Sequence, residues 1–120
     1  MIARPTSIRD FNSVYKWLVS RNHMPLQPVD LLPIGFIVPG VAAGFLRRAE
    51  GGVGIIEGVC TNPLVSSSTR HKALDAVFRA LLSTGCDVYI GWSVHQDVEQ
   101  RVTDLGFRKA INYSMFVKEC

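Results

Sequence analysis

The 120-residue chain has only three cysteines, Cys60, Cys86 and Cys120, and no CxxC pair among them. An odd number without ligand spacing argues against a disulfide framework, and no metal site is expected. Cys60 and Cys86 lie in apolar stretches and are expected as buried, reduced thiols. Reduced thiols point to a cytoplasmic protein. No apolar run approaches the roughly 18 residues of a membrane span, and no apolar leader follows Met1-Ile2-Ala3-Arg4. The excess of positive charge is small, 13 Lys and Arg against 10 Asp and Glu. The densest basic clusters, Arg47-Arg48 and Arg70-His71-Lys72, have no interleaved aromatic stripe, which argues against nucleic acid as a partner. Repeats, low-complexity tracts and interior linkers are absent. With 48% hydrophobic residues the chain is not disordered. Its length fits a single domain, 1–120, that buries about two-thirds of its unfolded surface.

What is present is a regular alternation of element signals. Residues 1–4 read as a short strand, and Thr6 or Ser7 offers a helix N-cap. Ile8, Phe11, Tyr15, Leu18 and Val19 then fall at helical spacing as far as about Ser20. Pro25, Pro28 and Pro33 make the next stretch an irregular connection. Residues 34–38 and 41–48 read as two strands around a Pro39-Gly40 turn. After a Glu50-Gly51-Gly52 turn, residues 53–61 form a strand apolar on both faces except at Glu57, the pattern of a central strand. A polar loop, 63–69, leads into a helix marked by Leu74, Val77, Phe78, Leu81 and Leu82, with Gly85 expected as its C′ residue. A strand at 88–92, a helix marked by Val94, Val98, Val102 and Leu105 and ended by Gly106, and strands at 107–111 and 113–117 complete the chain. The order β-α-β-β-β-α-β-α-β-β predicts an α/β fold, a mixed central sheet with helices on both faces. In such a sheet a ligand sits where a central strand opens onto a helix N-terminus.

These segments together resemble the GNAT superfamily of acetyl-CoA-dependent N-acyltransferases. The opening through Phe11 is similar to the family's first strand and helix. The run Gly54-Ile55-Ile56-Glu57-Gly58-Val59-Cys60-Thr61-Asn62-Pro63 is similar to its central fourth strand. Arg70-His71-Lys72-Ala73-Leu74-Asp75 lies where the family carries its pyrophosphate motif, R/Q-x-x-G-x-G/A, and Leu105-Gly106-Phe107 resembles its "LGF" ending. The resemblance implies a GNAT-like sheet and acetyl-CoA as cofactor. It implies cofactor contacts at Val59, Thr61, Arg70, His71, Lys72, Ala73 and Leu74, and a primary amine as acceptor. Glu57 would be the general base and His95 a stand-in acid. The sequence departs from the pattern at Ala73 and Asp75, where small residues are usual, and at Val102, where the family often has a tyrosine acid. It is also short between the first helix and the second strand. A looser likeness to small phage-encoded proteins of this fold implies an alternative, a non-catalytic virion or host-interaction component.

Each candidate has a structural alternative. Glu57, the lone acid in an apolar strand, is either a buried base or a solvated carboxylate paired with an arginine such as Arg47. Arg70, His71 and Lys72 stand at a helix N-terminus, where cations are mildly unfavourable unless an anion binds. His95 is a proton-transfer group or a cap. Ser66, Ser67, Ser68 and Thr69 are helix caps that also suit phosphate oxygens. Cys60 reads as a buried thiol, and Tyr89, Trp17 and Trp92 as core. The partners expected are an amine acceptor or a protein in a larger assembly. A second copy is a further candidate, through an exposed edge near Tyr113.

Overall fold

The computed structural model describes residues 1–20, 34–92, 96–109 and 115–119, with only the backbone at 92, 96–99, 109 and 115. His95 and Tyr113 lie outside the described residues. The element order is β1 (Arg4–Pro5), α1 (Phe11–Ser20), β2 (Gly35–Val38), β3 (Ala42–Ala49), β4 (Val53–Thr61), α2 (Ser67–Leu82), β5 (Val88–Trp92), α3 (Gln96–Asp104), β6 (Arg108–Lys109) and β7 (Met115–Glu119). The strands form one seven-stranded sheet in the order β1-β2-β3-β4-β5-β7-β6. Among the described strands, only β4 and β5 pair in parallel; the other neighbours are antiparallel. A crossover through α2 makes the parallel pair, because a parallel connection is too long for a tight turn. No described helix is long and apolar enough to cross a membrane.

Helices cover both faces of the sheet, and strand alternation separates two cores. On one face Val14, Trp17 and Leu18 of α1 pack on Ile37, Ala43, Phe45 and Cys60. On the other, Ala73, Val77, Phe78 and Leu81 of α2, with Val102 of α3, pack on Val38, Leu46, Ile56, Tyr89 and Phe116. Both helical sets follow i, i+3, i+4 spacing, which gives a single apolar stripe. Tyr89 is fully buried. Its hydroxyl donates to the Leu82 carbonyl at 3.0 Å and accepts from the Cys86 amide at 3.2 Å, which ties the end of α2 to β5.

Local signals set several boundaries. A one-turn helix at Ile8–Asp10 precedes α1. There Asp10 accepts from the Ser7 amide at 2.8 Å and from both terminal nitrogens of Arg4 at 2.9 Å. That bidentate bond holds the Asp10 carboxyl below the usual carboxylate range. Gly40 adopts φ 76° in the β2–β3 turn, a conformation that costs glycine nothing sterically.

Four boundaries differ from the sequence reading. The opening strand is Arg4–Pro5 rather than residues 1–4, because its partner β2 reaches only that far. Helix α2 begins at Ser67, inside the expected loop, because Ser66 supplies a cap. It ends at Leu82 with Ser83 as C-cap, so Gly85 stands beyond the C′ position. Strand β7 is not an edge: β6 pairs with it at Val117 and Phe116, which removes the expected edge there.

Candidate functional site

The site is built around the second half of β4. The last parallel pair is Ile56 with Gly91, yet β4 runs on to Thr61. Among the described residues, 57–61 pair only with β3. The register to β3 slips within this stretch: Ala43 faces Cys60, but Phe45 faces Glu57. One extra residue on β4 therefore bulges at Gly58–Val59, and Gly58 takes φ 65°. A bulge bends its strand and interrupts the ladder, and the described pairing with β5 stops one residue before it, at Ile56.

Five residues separate Thr61 from the start of α2 at Ser67. The side chain of Asn62 holds the connecting loop, donating to the Gly40 carbonyl at 3.0 Å and accepting from the Leu64 amide at 3.0 Å. Ser66 Oγ accepts from the Thr69 amide at 3.4 Å. The Arg70 amide already donates to the Ser66 carbonyl at 3.0 Å. The Ser67 and Ser68 amides are the first of the helix, have no intrahelical acceptor, and belong to exposed residues. With the helix dipole they make an electropositive rim beside the open end of β4.

The expected cofactor residues divide on this geometry. Val59 and Thr61 lie on the open stretch of β4. Arg70 and Lys72 sit in the first turns of α2 with no ion pair among the described residues. Their charge opposes the helix dipole, so a bound anion would relieve a local cost of about 0.3–1 kcal/mol. His71 lines a different feature, a cavity of about 350 Å³ between α2 and α3 shared with Asp75, Arg79, Gln100 and Arg101. Ala73 is fully buried against the sheet. The amides of Ala73 and Leu74 lie within the helical ladder, so neither offers a free N–H to a ligand. The helix starts at Ser67, so its free amides precede the motif positions. Asp75 turns away from the rim and pairs with Arg101 at 3.0 Å, and Arg101 also donates to the His71 carbonyl at 2.8 Å.

Glu57 occupies the start of the open stretch. Its Oε1 accepts from Nε and Nη2 of Arg47, each at 2.9 Å. The carboxylate side chain is 36% exposed and that of Arg47 57%. The apolar neighbours in sequence therefore do not enclose it; the arginine partner weighed as the alternative is present. Cys60, directly past the bulge, is buried, and burial pushes its thiol up to about 12. It is not a nucleophile at neutral pH. Val102, in place of a tyrosine, is 6% exposed and part of the core.

Sequence reasoning missed the Ser67 and Ser68 amides, the bulge and the Asp75–Arg101 pair. A glycine inside a strand was the available sign of the bulge. The other two depend on where the helix starts and which helix packs beside it.

No protein-family model matches the chain, and no curated protein matches it by sequence. Its architecture does match solved structures. An acetyltransferase of the GNAT family from Staphylococcus aureus Mu50 superposes with a TM-score of 0.70 over 98% of this chain and 97% of its own, at 10% identity. The chain has the GNAT fold. Rv2747 from Mycobacterium tuberculosis, solved in complex with CoA, has a TM-score of 0.69 over 92% of this chain and 74% of its own, at 13% identity. Ard1 from Thermoplasma volcanium gives 0.68 over 96% and 93%, at 12% identity. The order of elements is thus that of a GNAT sheet.

Proposed function

We propose that this protein is an acetyl-CoA-dependent N-acyltransferase acting on a primary amine. The observation that carries the reading is that the described pairing of β4 with β5 stops at Ile56, just before a bulge, beside a helix N-terminus with free amides. The residues present suit the cofactor. In this reading the backbone of residues 58–60, past the last described pair with β5, offers partners to an extended arm bearing amides. The Ser67 and Ser68 amides, with Arg70 and Lys72 nearby, offer donors and positive charge to a pyrophosphate. Ala73 does not obstruct it, because its methyl points into the core, and Asp75 is neutralised by Arg101. Bound acetyl-CoA would supply an activated acyl group as a thioester.

In this reading the chain's own residues orient the acceptor and hold its proton. Glu57 Oε2, which has no hydrogen-bond partner among the described residues, receives the proton that the amine nitrogen must lose. The same carboxylate then returns it to water. No side chain at Val102 can protonate the departing thiolate, so that proton comes from solvent. Titration with acetyl-CoA in a calorimeter tests the reading. Saturable binding with a Kd in the micromolar range, of order −8 kcal/mol, supports it; no heat and no thermal shift at about millimolar ligand overturns it.

A second reading is a GNAT fold without transfer, serving as a virion component or a host-interaction module. The buried Val102 in place of a proton donor favours it. Tight acetyl-CoA binding with turnover on any amine would exclude it.

A further inference from the structure

Helix α2 is packed into the core only from Ala73 onward. Ala73, Val77, Phe78 and Leu81 are buried, whereas Ser67, Ser68, His71 and Lys72 are exposed. Arg101 of α3 reaches across to this exposed beginning. Its Nη1 donates to the His71 carbonyl at 2.8 Å and to Asp75 Oδ1 at 3.0 Å. A carbonyl inside a helix already has its partner four residues on, so this bond rescues no orphaned group; it fixes where the turn lies. The end of α3 is itself anchored. Val102 and Phe107 belong to the core, and Lys118 Nζ of β7 donates to the Leu105 carbonyl at 2.9 Å. A line of fixed contacts therefore runs from β7 through α3 to the start of α2. The side chain of Arg101 is 9% exposed and that of Asp75 50%. Burial lowers the arginine's pKa from its usual value. A nearly buried charge adds little to net stability, and its best-attested use is to fix register.

We propose that Arg101 is a positioning residue, which holds the first turn of α2 so that the Ser67 and Ser68 amides meet an anion of the diphosphate class. The role rests on the acyltransferase reading above, in which those amides take the pyrophosphate of acetyl-CoA. Arg101 touches no ligand; it acts through the helix. Without the bridge the exposed turn keeps its Ser66 cap but loses its tie to α3. Ordering that turn then becomes part of the cost of binding, which a pre-organised site avoids.

The full chain is compared with Arg101→Met, which keeps an apolar stem and removes the donors. In calorimetry the Kd for acetyl-CoA is expected to rise about three- to tenfold, the worth of one intramolecular hydrogen bond. The double variant Asp75→Asn, Arg101→Met keeps the net charge of the unaltered chain. It should bind as weakly as Arg101→Met; restored binding would mean that charge, not position, was lost, and would overturn the proposal. Hydrogen exchange without ligand gives a second readout. The Arg70 amide, bonded to the Ser66 carbonyl, should exchange faster in Arg101→Met while that of Val77 is unchanged. Equal acceleration along the whole helix would make the bridge a general support and also overturn the proposal. Arg101→Gln replaces the methionine variant if the latter does not fold, with the same expectations. The two readings fail separately. If the unaltered chain binds inorganic pyrophosphate but not acetyl-CoA, and Arg101→Met weakens the pyrophosphate, the transfer reading falls and the positioning role stands. If acetyl-CoA binds both chains equally, only the positioning role falls. Binding of neither ligand overturns both.

Discussion

Residues 53–56 of β4 lie between two partners, β3 on one side and β5 on the other, whereas among the described residues 57–61 pair with β3 alone. The first stretch is held as a central strand should be. Ile56 is buried under α2 and Gly54 packs so closely that an added Cβ would meet Cys86 Sγ at 2.8 Å. The second stretch carries the bulge, a left-handed Gly58 and a partly exposed ion pair. One strand thus supplies both the rigid support and the open site.

Substitutions along β4 should separate these roles. The largest loss of stability is expected from Ile56→Ala in the supported half, about 2–5 kcal/mol for a buried aliphatic truncation, read from urea unfolding. Next is Gly58→Val at the bulge, about 1–3 kcal/mol from forcing a β-branched residue into a left-handed conformation. This variant should also weaken acetyl-CoA binding, which Ile56→Ala should leave intact while the protein stays folded. Equal effects of the two on binding would erase the contrast between the halves.

A smaller, pH-dependent effect comes from Asp10. Its carboxyl is held low chiefly by the side-chain bond to Arg4. The stabilisation is therefore fully present above the unfolded value of about 3.9 and is lost as pH falls through the folded value. Asp10→Asn should flatten the acid limb of a Tm-against-pH curve and leave the ligand site unaffected. The smallest stability change is expected from Glu57→Gln in the open half, within about 0.5 kcal/mol. Its effect should appear in turnover, a fall of roughly 10²–10⁴ if Glu57 takes the proton. A large destabilisation instead would make Glu57 a structural residue. Cys60 gives a control on the closed side: with its thiol at about 12 and buried, alkylation at pH 8 should proceed only through unfolding.

The architecture was readable from local pattern. The helical spacing of Val14, Trp17 and Leu18, and of Val77, Phe78 and Leu81, marks the faces that are buried. Gly40, Gly51 and Gly106 mark the turns, each at positive φ. The site was readable less evenly. Glu57 stands out as the single acid of its strand, and Arg47 was its natural partner across a hairpin. The motif positions Ala73 and Leu74 were expected as cofactor contacts from the family resemblance, which does not say where the helix begins. A serine cap moved that start to Ser67 and carried the free amides with it.

The sequence by itself determined the kinds and order of the elements, because periodicity, proline and glycine act over a few residues of chain. Only the tertiary structure decided which residues face the opening. That depends on register between distant strands: the slip between Ala43 and Phe45, the end of pairing at Ile56 and Gly91, and the packing of Arg101 against Asp75. Each is a contact across long stretches of chain, set by the fit of whole faces rather than by any local preference.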